Sequence, residues 1–151
     1  MPRAELSIII HDDLGRVFAV TSDIERWPEL FQEFRDARVL STHRSGWFAR
    51  LDFELTDTAG KTWQLWCVLD YKAHIAIIQH AIPFPPFRSL HLAWHYKLVE
   101  TGVRMTWIQD FELSPDAAIT DAQALASVLD SMTTAQRRCK QLLEAQPCTK
   151  R

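Results

Sequence analysis

A chain of 151 residues has the size of one domain and is long enough to bury roughly two thirds of the surface that its unfolded form exposes. Its 17 Lys and Arg against 19 Asp and Glu leave a net charge of −2, and the basic residues are scattered, so no positive footprint for nucleic acid or a membrane surface is present. The opening MPRAELSIII is too short an apolar run for a signal-peptide core or a span, and Cys67, Cys139 and Cys148 show no CxxC or Cys/His spacing; the expectation is a cytoplasmic protein without a disulfide framework, metal or cofactor.

In chain order, residues 5–10 (ELSIII) predict a first strand, closed by His11 and the turn-forming pair Asp12 and Asp13, either of which can cap a short helix through Val17, Phe18 and Val20. Ser22 to Glu25 offers a second cap. Trp27, Leu30 and Phe31 then recur at helical spacing, with Pro28 tolerated in a first turn. From about residue 36 the period changes to two: Trp47, Ala49, Leu51 and Phe53 alternate with Phe48, Arg50, Asp52 and Glu54. After a turn at Asp57 to Gly60, residues 61–71 place Trp63, Leu65, Cys67, Leu69 and Tyr71 on one face. Further strands are predicted near 74–82, 87–98 and 103–113, with Pro83, Pro85 and Pro86 in a connection rather than a strand.

After Ser114 and Pro115 the pattern is helical again, and Leu125, Val128, Leu129, Met132, Cys139, Leu142 and Leu143 form one stripe of a long helix at about 118–145. No helices alternate with the run of five or six strands, which excludes a parallel α/β fold. The order predicts a single α+β domain over 1–151, a curved antiparallel sheet gripping the last helix.

Six Trp and eight Phe against four Gly is the informative part of the composition, although such rings can also simply fill a core. Parity assigns Gln79 and Gln109 to inward positions, where each amide either touches a ligand or is satisfied locally. His91 and His95 alternate with Leu90, Leu92 and Trp94 and so face away if Trp94 faces in. By the same counting His80 and Asp110 are out of phase with Gln79 and Gln109, although the proline-rich turn beside His80 can twist its strand. Cys67 has no His or Lys on its strand face to activate it and reads as a small hydrophobe before a nucleophile.

The segment Thr21-Ser22-Asp23-Ile24-Glu25-Arg26-Trp27-Pro28-Glu29-Leu30-Phe31 resembles that of the monodomain polyketide aromatase/cyclases, of the tetracenomycin and spore-pigment type. Gly60-Lys61-Thr62-Trp63, Pro86-Phe87 running on to Trp94, and Met105 to Phe111 followed by Pro115 are similar too, so the resemblance runs along nearly the whole chain. It implies the START/Bet v 1-like helix-grip fold and a deep pocket that holds a poly-β-ketone on its carrier protein, folds it, and promotes closure and dehydration of the first ring. Trp27, Trp63, Phe87, Trp94, Trp107 and Gln109 match pocket residues of that family. Elsewhere the pattern departs: the family's pocket Tyr is Phe34 here, its Ser is Cys67, the Arg given the central catalytic role is Leu69, a second Arg is Ala81, and a polar group on the final helix is Ala135.

A guanidinium can hold an enolate oxygen and leucine cannot. Ligand contacts are therefore expected from Trp27, Phe34, Trp63, Leu65, Cys67, Leu69, Gln79, Phe87, Trp94, Trp107 and Gln109, with Tyr71, Gln109 and Cys67 as weak catalytic candidates. If Leu69 faces a cavity, Leu69→Arg should be tolerated by snorkelling. Two functions remain open on the sequence: an aromatase/cyclase-like protein acting on a carrier-bound or released polyketide or polyene chain through shape and desolvation, or a non-catalytic binding protein for an apolar pathway intermediate.

Overall fold

Strand-forming stretches with two-residue alternation, broken once by a pair of short helices, set the architecture of residues 1–145, the part of the chain described in this computed structural model. Cys148 lies outside the described residues. The elements are β1 (Arg3–Ile10), α1 (Leu14–Thr21), a 3-10 turn (Ile24–Arg26), α2 (Trp27–Leu30), β2 (Phe34–Ser45), β3 (Phe48–Asp57), β4 (Thr62–Asp70), β5 (Ile75–His80), β6 (Phe87–Val99), β7 (Gly102–Leu113) and α3 (Asp121–Ala145). All strands form one antiparallel sheet in the order β1-β7-β6-β5-β4-β3-β2. This is the helix-grip arrangement expected from the order of elements.

The short helices form where the caps suggested. The Asp13 carbonyl accepts the Val17 N–H at 2.9 Å to start α1, and Pro28 sits in the first turn of α2, where its missing N–H leaves no bond unmade. Trp47, expected on the apolar face of β3, instead lies in the β2–β3 turn and is exposed, because Gly46 at φ +58° turns the chain before the strand begins. The phase of the rest of β3 holds, with Ala49, Phe53 and Leu55 buried.

A capping box opens α3: the Gln123 N–H donates to Thr120 Oγ1 at 3.1 Å while Thr120 N–H donates to Gln123 Oε1 at 2.9 Å. The buried stripe is Ala124, Val128, Met132, Ala135, Gln136, Cys139 and Leu143. Polar ties gather in the second half of this helix. Gln136 donates to the Leu6 carbonyl at 2.9 Å, Lys140 to the Ile9 carbonyl at 2.6 Å, and Arg138 to the Glu29 carbonyl at 2.6 Å; Arg16 of α1 reaches the Leu143 carbonyl at 3.0 Å. These bonds clamp α3 to β1 and to both short helices, over the inner face of the sheet. No helix among the described residues is long and apolar enough to cross a membrane.

Candidate functional site

An aromatic stack forms one wall of the space between sheet and helix. Trp94 and Trp107 are direct cross-strand partners on β6 and β7, and their rings stack at 4.4 Å and 13°. Phe31, just after α2, lies 6.0 Å from Trp94 and 5.7 Å from Trp107. Trp27 is 5.5 Å from Trp94, and its indole N–H donates to the Thr21 carbonyl at 3.0 Å, which fixes the ring. Short helices after the first strand thus deliver two rings onto two more from the sheet.

Against this wall lies a cavity of about 410 Å³, within the range of small-molecule pockets. Leu55, Leu65, Ile78 and Leu90 line it from the sheet, and Val128 and Met132 from α3. Its half-buried rim carries Phe34, Trp63, Phe84 and Phe87, with Glu33 and Asp57 beside them. Trp63 is held from two sides: its indole N–H donates to Asp57 at 3.1 Å, and the Lys61 ammonium sits 4.2 Å from its ring. The Lys61 backbone N–H and the Trp63 indole hold the Asp57 carboxyl below the usual carboxylate range. Phe84 comes from the proline-rich connection and packs on Trp63, Phe87 and His80 at 5.4, 5.3 and 4.9 Å.

Trp27, Phe34, Trp63, Leu65, Phe87, Trp94, Trp107 and Gln109 therefore meet around one cavity. Cys67 and Leu69 share the inner face of β4 but lie past the cavity, sealed at 0% and 3% exposure, and burial pushes the Cys67 thiol up to about 12. A thiol so hard to ionise is no nucleophile. Tyr71, in the turn just past the end of that strand far from Trp63, packs edge-on against Phe18 at 5.5 Å beneath the Arg44 guanidinium, and it does not line the cavity. Ala81 is exposed, and Ala135, although buried, is also outside the cavity wall.

The phase of β5 is opposite to the expectation. Pairing with β4 sets His80 beside Leu65 and Ile78 beside Cys67, so Ala76, Ile78 and His80 face in and Gln79 faces out. On the outer face Gln79 donates to the Leu90 carbonyl at 3.0 Å and meets the His91 ring at 2.8 Å. Its amide is satisfied there and does not reach the cavity. His91 and His95 are exposed, as parity required. Sequence reasoning also left out Phe31, Glu33, Asp57, Phe84 and the α3 hydroxyls of Ser127 and Ser131 as site residues. The signal available for Phe84 was a large ring among prolines, which is costly to leave in water.

Apart from the indoles, the polar side chains lining the cavity are His80, Gln109, Ser127, Ser131 and the rim carboxylates, with no Lys or Arg among the described residues that line it. Burial lowers the His80 imidazole to about 4, so it is uncharged near neutrality. Between the ordinary 6.5 and about 4 the unfolded chain takes up a proton that the folded one refuses. Stability is therefore complete above that window and falls with the pH, by up to about 3 kcal/mol near pH 4. Urea titrations at pH 7 and 4.5 should give a lower midpoint at the acid value, and His80→Phe should shrink the difference; an undiminished difference in the variant would assign the effect to other groups.

The sequence profile described as polyketide cyclase/dehydrase and lipid transport matches residues 13–126. Two proteins named "putative polyketide cyclase" are similar over much of the chain. The one from Streptomyces cyaneus is 36% identical over 124 residues, covering 78% of each chain, and the one from Streptomyces halstedii is 34% identical over 110 residues, covering 69% of this chain and 95% of the other. Among solved structures, the di-domain aromatase/cyclase BexL of the BE-7585A biosynthetic pathway aligns with a TM-score of 0.75 at 18% identity, over 97% of this chain and 48% of that one. This chain spans about half the length of that protein. The Zhui aromatase/cyclase from Streptomyces sp. R1128 aligns with a TM-score of 0.68 at 14% identity over 97% and 99% of the two chains. A START superfamily protein from Mycobacterium smegmatis aligns at 0.64 and 17% over 93% and 99%. At these identities the structural matches speak to fold alone.

Proposed function

This chain belongs to the polyketide cyclase/dehydrase and lipid transport family, and from that premise we propose that its cavity binds and folds a polyketide or polyene intermediate and promotes ring closure and aromatisation. The observation that carries this reading is the convergence of four Trp and four Phe on one cavity of about 410 Å³. Flat aromatic walls favour flat conjugated ligands, and confinement brings distant carbons of one chain into reach while excluding water. With no Lys or Arg among the described residues on the wall, these residues offer an oxyanion only neutral dipoles, so acceleration is modest and the product pattern carries most of the effect. The two rim carboxylates disfavour a free acid, which supports a chain presented as a neutral thioester on a carrier, or released in neutral form, within a bacterial aromatic polyketide pathway of the cytoplasm.

Binding without chemistry is the second reading, and one observation favours it. Two ionisable groups at the cavity are weak bases: His80 is lowered to about 4, and Asp57 is held down by its hydrogen bonds. Incubating the purified protein with a reactive linear poly-β-ketone separates the two. Ring-closure activity should bias the products towards one ring pattern, Trp63→Ala should lose that bias, and Cys67→Ala, sealed away from the cavity, should keep it. Saturable quenching of tryptophan fluorescence with products identical to those formed without protein would leave the binding reading alone.

A further inference from the structure

The geometry points to His80 as the hydrogen-bond donor that holds a ketone oxygen of the ligand inside the cavity, a neutral group in a cavity that no Lys or Arg among the described residues lines. This assignment rests on the ligand class proposed above. His80 is 92% buried by its 8% exposure, lines the cavity from the last position of β5, and is braced by the Phe84 ring at 4.9 Å. Its Nδ1 is enclosed and has no partner. Among the described residues no hydrogen bond or ion pair engages this imidazole.

Those facts select the tautomer. A buried N–H without an acceptor is rarer in folded proteins than a bare acceptor, so the proton belongs on Nε2 and Nδ1 keeps its lone pair. Nε2 is the nitrogen left open to the cavity, and it then presents an N–H. The other ionisable groups on the cavity wall are Glu33 and Asp57 at the rim, while the lining residues of β6, β7 and α3 are apolar, indole, amide and hydroxyl side chains with no ionisable group among them. Neither rim carboxylate bonds to the ring, so the imidazole stays neutral. A neutral N–H in a dry pocket suits a carbonyl oxygen and strengthens its grip as negative charge gathers on that oxygen. Gln109 on β7, paired with Leu92, reaches the same cavity from another strand, and its side-chain amide makes no hydrogen bond within the described residues. Its amide discriminates less, because it both donates and accepts.

Two probes of matched shape isolate the donor: 2-acetonaphthone and 2-ethylnaphthalene, which differ by C=O against CH2. Tryptophan quenching gives both affinities. His80→Phe should lower the affinity for the ketone relative to the hydrocarbon about 10-fold, whereas His80→Gln, which keeps an N–H near the Nε2 position, should hold that ratio within about threefold. An unchanged ratio in His80→Phe overturns the role of His80 and leaves the cavity reading intact. Absence of binding of either probe to the parent overturns the cavity reading and this assignment with it. If His80→Phe does not fold, nitrogen NMR of the parent's imidazole decides: a shift of Nε2 on adding the ketone but not the hydrocarbon supports the donor, and no shift refutes it.

Discussion

Leu69→Arg is expected to leave no folded protein, or one destabilised by more than about 4 kcal/mol. Leu69 pairs with Ala49 on β3 and Ala76 on β5, and Ala76 pairs in turn with Trp94, so these side chains form one cross-strand row beneath the aromatic stack. The leucine fills the space that the two alanines leave. A guanidinium there has neither a carboxylate partner nor a path to water, since the cavity stops short of Leu69 and the residue is 3% exposed. Snorkelling needs an opening that this part of the fold lacks. Soluble expression and urea unfolding check the outcome, with Leu69→Met as the volume-conserving control that should cost less than about 1.5 kcal/mol. A folded Leu69→Arg with the parent's midpoint would mean that the cavity runs deeper than the lining residues indicate.

Trp107→Ala should cost about 3–5 kcal/mol, the range for truncating a large buried ring. The indole is 3% exposed and stacked on both Trp94 and Phe31, so its loss removes buried area and two ring contacts at once. Trp63→Ala, at the half-exposed rim, should cost clearly less while affecting ligand binding as strongly. Denaturant midpoints at constant m value measure the difference. Because Trp94 and Trp107 touch, the double alanine variant should cost less than the two single costs together. Equal costs at positions 63 and 107 would contradict the division into a packed wall and an open rim.

Periodicity made the architecture legible, because the change from helical spacing to alternation and back is written in Leu30, then Trp63 to Tyr71, then Val128 to Leu143. It also gave the phase of β4 correctly. What period two cannot give is depth: Trp63, Leu65, Cys67 and Leu69 share one face, yet only the first two reach the cavity. On β5 even the phase was hidden, since Ile75, Ala76, Ile77 and Ile78 are apolar on both faces, and the deciding fact is its pairing with Leu65 and Cys67. A register shift between Phe87 and Ser89 brings both Phe87 and Leu90 to the cavity, which strict alternation forbids. Phe84 belongs to no period at all. Each gap is information held by a neighbouring strand or loop rather than by the segment itself.

The distribution of bonds along α3 makes the helix a cantilever. Its clamp lies between Gln136 and Glu144, where side chains are bonded to β1, α2 and the turn after β1. The arm beyond the clamp carries Ser127, Val128, Ser131 and Met132 over the cavity, and among the described residues no hydrogen bond ties that stretch to the sheet. Moving this arm away from the sheet would cost the apolar contacts of Val128 and Met132 and, among the described residues, no hydrogen bond to the sheet. The rings of the cavity come from the sheet, the short helices and the proline-rich connection, and the wall opposite them is the half of α3 that carries the fewest polar ties.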